Sequence, residues 1–451
     1  MTMIEAAPSL RMKGAVVRTG DEAWDAARRA WNLAVDQQPL AVAFPADEED
    51  VAAIVRYARA AGLRVAPQRT GHNAAPLGSL DETIILRTDD LRGVEIDAPN
   101  RRARVRSATK WEDVVPAASE LGLAALHGST ADVSVVGYSL GGGLGWYARK
   151  HGLAANSVTA VELVTADGEL VRVDTDHEPE LFWALRGGGG NFGVVTALEF
   201  DLLEQAEDYA GVLFFPWERA DEVLHAWREW LPTTPDELTS VGRIMQFPPF
   251  PEVPEPLRGN AFTLVEAVYL GSERDGRELL EPLRALGPAL DTFAVVPPAG
   301  IAELHMDPPK PVPGVTGSRL LGELPAAAID ELVAVAGPGS GSTLLSVELR
   351  QLGGALARSA PEHGAIDTLA GEYAYFGAGI AAAPPLAAAN TAQLEQVAET
   401  LAPYSAGREY ANFTEANGGA DRFFADETLA RLRAVKADVD PDGVFQANHE
   451  L

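Results

Sequence analysis

Apolar positions recur with two rhythms in this chain, one of period two and one near 3.6, and their order predicts the elements. Residues 41–45 (AVAFP) read as a strand and 47–62 as a helix. In that helix Asp47, Glu48, Glu49 and Asp50 suit the positive end, and Val51, Ile54, Val55 and Ala58 form one apolar stripe. A strand over 64–68 follows, and His72 sits on the loop behind it, where α/β units commonly hold ligands. Further strands are predicted at 83–88, 94–97 and 102–107, and a helix at 111–121. A hairpin over 158–165 and 169–173 turns at Asp167-Gly168, ahead of a short helix at 178–186 and a strand at 194–203.

The texture changes near residue 206. Strands at 209–215, 261–270, 343–351 and 372–380 alternate with helices at 219–231, 273–286, 326–336 and 391–401. This is an α+β pattern, an antiparallel sheet backed by helices. The tail from Tyr410 carries a helix at 427–438 and the stop signal Asp440-Pro441-Asp442-Gly443. Three segments result: 1–205, 206–407 and 408–451.

Composition narrows the function classes. A chain of 451 residues exceeds one ordinary core, so two domains are expected. The formal net charge of -29 repels nucleic acid and anionic lipid, so neither is an expected partner. No apolar run spans a bilayer, and Glu5, Arg11 and Lys13 interrupt any signal-peptide core, so a cytoplasmic location is the expectation. The absence of cysteine removes disulfides, thiolate nucleophiles and zinc-thiolate sites. No histidine pair has helical ligand spacing, so no metal site is expected.

Candidate chemistry lies in three places. Gly141-Gly142-Gly143-Leu144-Gly145-Trp146 lacks the Lys-Ser/Thr of a P-loop and the spacing and position of a dinucleotide turn. Close helix–strand packing is one explanation for it. A second run, Gly187 to Gly190, favours a shared ligand. His72, in Arg69-Thr70-Gly71-His72-Asn73, is on a loop and off any apolar stripe, and a neutral imidazole can bond an electrophilic carbon. His127 is a weaker candidate; His151, His177, His363 and His449 read as surface residues. Tyr410-Ala411-Asn412-Phe413 reads as a short strand with Tyr410 and Asn412 on one face, or as a phenol that takes a proton if its pKa is lowered.

Together these segments resemble the FAD-linked oxidoreductases of the vanillyl-alcohol oxidase superfamily, within it the berberine-bridge-enzyme-like group. The resemblance is carried by residues 39–205, by Phe182 to Gly193, by Glu348 to Ala355, and by the tail with Arg431-Leu432, Asp440-Pro441 and Phe445. It implies an FAD domain built from both chain ends and a substrate domain whose antiparallel sheet covers the flavin. It also implies that His72 is joined to the flavin 8α carbon. This chain departs from the family pattern at Thr70, where glycine is common, and at Asn73, where serine is common. Thr130 stands where many members use a cysteine for a second linkage, so a single linkage is expected.

By the same resemblance, Arg69 to Asn73 and Gly128, Ser129 and Thr130 wrap the pyrophosphate and ring, mostly through backbone N–H groups. Val136, Gly137, Gly141, Gly142 and Gly143 line the ring and ribityl chain, Asn156 and Val195 approach the adenosine, and Tyr410 and Asn412 close the site. The implied reaction is hydride transfer to the flavin from a C–H next to an alcohol or amine of a small-molecule substrate. Dioxygen then takes the electrons as hydrogen peroxide. A dehydrogenase using another acceptor is the alternative, and a non-catalytic flavin carrier a third. Tyr410 is the first candidate base. Strand alternation adds Glu348, on one face with Ser346 and Arg350, and Tyr373 with Tyr375. Simple pairing of Glu348 and Arg350 with neighbours competes with that role. Phe247, Phe250, Phe262 and Tyr269 suit an apolar pocket or a core equally, and nothing in the sequence sets the oligomeric state.

Overall fold

The computed structural model describes residues 10–451; the export-signal reading of residues 1–9 lies outside them. The first sheet has the order Ala15–Val17, Ala41–Phe44, Thr83–Arg87, Arg64–Gln68; its last three strands are parallel. Helix Glu48–Ala61 crosses between Ala41–Phe44 and Arg64–Gln68 and buries Val51, Ile54, Val55 and Ala58. Asp47 caps it by accepting the Asp50 N–H, and Gly62 ends it at φ 66°. Asp50 is buried because its carboxylate accepts the backbone N–H groups of Lys13, Gly14 and Ala46, which pins the entering chain to the helix.

The second sheet is antiparallel, ordered Val94–Asp97, Arg102–Arg106, Val194–Asp201, Val158–Val164, Leu170–Val173. Helices Trp111–Ser119, Val135–Leu140 and Pro179–Gly188 pack on it with the tail helix Asp426–Val439, around Trp111, Phe182, Phe192 and Leu432. The tail thus completes the core begun by the first part of the chain. It also enters the first sheet: Val65 N–H donates to Val444 O at 2.7 Å, and Gln446 N–H returns to Val65 O at 2.9 Å.

The intervening block is one antiparallel sheet whose main path runs Leu290–Asp291, Asp208–Pro216, Ala261–Tyr269, Leu238–Gln246, Ser346–Gln351, Tyr373–Ile380, Gly314–Leu321. Helices Ala220–Trp230, Glu273–Arg284, Ala326–Ala336 and Pro384–Thr400 cover one face. The other face turns to the first part of the chain, where Trp146 and Tyr147 meet Ala210, Val241 and Val268. Strands Leu238–Gln246 and Gly314–Leu321 were not anticipated from the sequence, and the last of these helices starts at Pro384, not near 391. Pro384 and Pro385 open that helix, where a missing N–H is harmless.

Candidate active site

The loop after Arg64–Gln68 is anchored at both ends. Gln68 and Gln37 exchange side-chain hydrogen bonds at 2.9 Å. Arg69 donates to Ala108 O at 2.7 Å and pairs with Asp89 at 2.9 Å, so its side chain is engaged in fixing the loop. Thr70 O accepts the Trp31 N–H. Gly71, at φ 79°, adopts a backbone conformation that favours glycine, with Ala30 and Gln68 3.0–3.1 Å from where a Cβ would stand. His72 emerges with its ring stacked on Trp31 (centroids 4.1 Å, planes 21° apart) and Nε2 3.3 Å from Asp132 Oδ1. Asn73 donates to Ala411 O at 3.1 Å, which ties this loop to the tail.

The glycine segment is built for close approach. A Cβ on Gly141 would overlap the Asn412 amide, one on Gly142 would crowd Tyr410, and one on Gly143 would strike Ala154 and Tyr138. Tyr410 Oη accepts the Gly143 N–H at 2.8 Å, and Asn412 donates to Tyr138 O at 2.9 Å. Tyr410-Ala411-Asn412-Phe413 is a 3-10 turn, not a strand, and the turn lets both side chains reach the same loop. By contrast, Gly137 in helix Val135–Leu140, and Gly189 and Gly190, face open space. Asn156 bonds Gly364 N and Ile366 O, and Val195 packs with Val136 into the Trp111 core. Ser129 and Thr130 both donate to Asp307 Oδ2.

Two expectations about the base are corrected. Tyr410 is buried, and desolvation pushes its phenol up from the ordinary value despite the Gly143 and Asn412 hydrogen bonds, so it is a bound acceptor with no lowered pKa. Tyr373 and Tyr375 alternate onto the helix-covered face: Tyr373 meets Trp227 edge-on and Tyr375 is fully buried in that core. The face toward the first part of the chain carries Ser346, Glu348 and Arg350, and Phe376 against Phe413 (5.1 Å). Glu348, 1% exposed, binds Arg350 Nε at 2.6 Å and lies 2.8 Å from His305 Nε2. Burial opposes its charge, but Arg350, His305 and Arg243 together outweigh burial and hold the carboxyl well below the usual range. Burial and Arg243 likewise oppose protonation of His305, yet Glu266, Glu348 and Asp307 raise it to about 9. Arg243 closes the cluster on Glu266 at 3.1 Å, and Arg350 lies 3.5 Å from Ser129 Oγ. His305 carries no sequence signal, because its partners come from three other strands. His449, expected at the surface, is half-buried, pushed down to about 4 by desolvation, and its Nε2–H donates to Ala411 O at 3.0 Å.

The Arg69–Asn73 loop, Gly141–Gly143, Tyr410 and Asn412 therefore meet at one place. Their surroundings suit a large ligand: Gly137, Gly189 and Gly190 leave room, and Asn73 Oδ1 and Tyr138 Oη are buried without hydrogen-bond partners among the described residues. Residues 39–174 match the model of an FAD binding domain, and residues 409–450 match the model described as berberine and berberine like. The two ends of the chain thus match an FAD binding domain and a berberine-like segment, and the proteins it resembles include FAD-linked oxidoreductases. The chain is 27% identical over 467 residues to the uncharacterized FAD-linked oxidoreductase YvdP of Bacillus subtilis, covering 97% of this chain and 98% of that one. It is 37% identical over 198 residues to (R)-6-hydroxynicotine oxidase of Paenarthrobacter nicotinovorans, covering 44% of this chain and 43% of that one. The crystal structure of 6-hydroxy-D-nicotine oxidase from Arthrobacter nicotinovorans superposes with a TM-score of 0.83 at 26% identity, over 97% of this chain and 98% of that one. No helix among the described residues is long and apolar enough to cross a membrane.

Proposed function

We propose that this FAD-dependent enzyme is an oxidase that removes a hydride from a C–H next to an alcohol or amine, with FAD held through His72 by a single covalent bond. The observation that carries the reading is the convergence of His72, the triple glycine and the Tyr410–Asn412 turn from three distant parts of the chain. Oxidase relatives bearing nicotine-type names support oxygen as acceptor and an amine-bearing carbon as one donor class. When bound, the flavin supplies the hydride acceptor, and dioxygen takes the electrons as hydrogen peroxide.

The chain's own groups do the rest. Tyr410 Oη and Asn412 fix the Gly141–Gly143 backbone. Of the candidate bases on the sheet, Glu348 alone lies on the face toward the FAD part, and to take a proton it must first be released from Arg350 and His305. Arg350, held by Glu348, brings fixed positive charge beside Ser129. Thr130 is engaged with Asp307, in keeping with one linkage rather than two.

The test starts with colour. The purified protein is expected to be yellow, and its acid precipitate to stay yellow. An alcohol or amine donor bleaches it without air, and air restores the colour with one peroxide per donor. Bleaching that air does not reverse would refute the oxidase reading, and a colourless acid pellet would refute the covalent one.

A further inference from the structure

We infer that Asp132 and Trp31 are positioning residues that decide which nitrogen of His72 faces the cofactor. The inference rests on the attachment through His72 proposed above. Three segments far apart in sequence meet at this ring. Trp31 stacks on one face of it, and Trp31 is itself tied to the loop through its backbone N–H on Thr70 O at 2.9 Å. Asp132 divides its two oxygens: Oδ2 accepts the Trp31 indole N–H, and Oδ1 faces His72 Nε2 at 3.3 Å. Nε2 and Oδ1 are both buried and neither has a hydrogen-bond partner among the described residues, so each is the nearest polar group left to satisfy the other.

The carboxylate is held from behind. Trp111 N–H donates to Val133 O at 3.1 Å and Glu112 N–H to Ala131 O at 2.7 Å, so the backbone on each side of Asp132 is fixed to the start of a helix. Lys110, at the start of that helix, is a positive charge that acts on Asp132. Burial works against the Asp132 charge, but His72, Trp31 and Lys110 together keep it ionised.

The chemistry follows from the two ring nitrogens being distinct. A carboxylate opposite Nε2 keeps the proton there and leaves the lone pair on Nδ1. Because Nε2 is buried, the 24% of the His72 side chain that is exposed lies on the rest of the ring, so Nδ1 is the nitrogen a ligand reaches. The Trp31 stack fixes the ring plane. The clamp therefore selects the tautomer and aims it before any cofactor arrives. An amide at the same place presents an N–H to Nε2 and favours the opposite tautomer, as known for carboxylate-to-amide changes beside a histidine.

The experiment uses the full chain and the variants Asp132→Asn, Trp31→Phe and His72→Gln. In Asp132→Asn the rate at which flavin becomes acid-stable is expected to fall roughly 10- to 100-fold, while reversible FAD binding and melting temperature stay near wild type. Trp31→Phe keeps the stack and loses the indole donor, so a smaller fall in the same rate is expected. A second readout needs no cofactor. Full chain grown with 15N-histidine under riboflavin limitation, with His72 assigned by its loss in His72→Gln, is expected to show the Nε2–H tautomer, and Asp132→Asn the Nδ1–H tautomer. Wild-type attachment rate in Asp132→Asn, or an Nδ1–H tautomer in the wild type, would overturn the inference. Acid-stable flavin persisting in His72→Gln would instead sink the attachment reading, so the two failures are told apart; should Asp132→Asn not fold, the wild-type tautomer still decides.

Discussion

Gly137 lies inside helix Val135–Leu140 with nothing within 4 Å of where a Cβ would stand. Replacing it with alanine should have opposite effects on the empty and the loaded protein. Without cofactor, alanine removes the backbone freedom of a helical glycine and meets no neighbour, so a gain of about 0.5–1 kcal/mol is expected. With cofactor, the proposed placement makes the same open surface a wall against which FAD packs. A methyl pressed into a filled contact costs about 1–3 kcal/mol, which is roughly 5- to 150-fold in affinity. Differential scanning calorimetry of flavin-free Gly137→Ala gives the first quantity. Fluorescence titration with FAD gives the second, made in a His72→Ala background so that binding is reversible. A variant that melts higher when empty yet binds FAD as tightly as its parent refutes the placement of the cofactor against this helix. A variant that melts lower when empty refutes the reading of the space as open.

Gly145→Ala puts a Cβ onto the His127 carbonyl oxygen, a rigid partner, so a loss of about 3 kcal/mol in chemical denaturation is expected, and a neutral result would contradict the close approach. Asp208 is buried, and desolvation raises its carboxyl to about 6 from 3.8. The folded state therefore binds this proton more tightly than the unfolded one, and stability falls as pH rises from 4 through 6, by on the order of 3 kcal/mol. Asp208→Asn keeps an acceptor for the Tyr147 hydroxyl and should melt higher than wild type at pH 8 but not at pH 4. His305 has the opposite behaviour: its folded value near 9 lies above the ordinary 6.5, so its contribution is complete below 6.5 and lost as pH rises through 9. Melting curves of His305→Gln between pH 7 and 10 should lack the decline shown by the wild type.

Local patterns were legible wherever one face of an element is buried and one is wet. The helix Glu48–Ala61 shows its stripe and its Asp47 cap plainly in the sequence. Strand Leu238–Gln246 (LTSVGRIMQ) does not, because it is central in its sheet and its polar residues are buried in specific pairs: Ser240 takes the Trp227 indole N–H, and Arg243 binds Glu266 and Ser346. Alternation correctly put Tyr373 and Tyr375 on one side, but period two cannot say which side meets helices and which meets the cofactor part. The glycine runs and His72 stood out because loops with such composition have few other uses. Asp132, Trp31 and His305 were silent, since a lone Asp, Trp or His acquires its role from partners that are 39 to 101 positions away in the chain.

The final dozen residues act as a latch. Val444 and Gln446 pair with Val65, and the Gln446 amide also bonds Thr83, Leu77 and Ser79. Cutting residues 440–451 away should therefore leave the Arg64–Gln68 strand as an unsealed β edge that recruits other chains, rather than a smaller working enzyme.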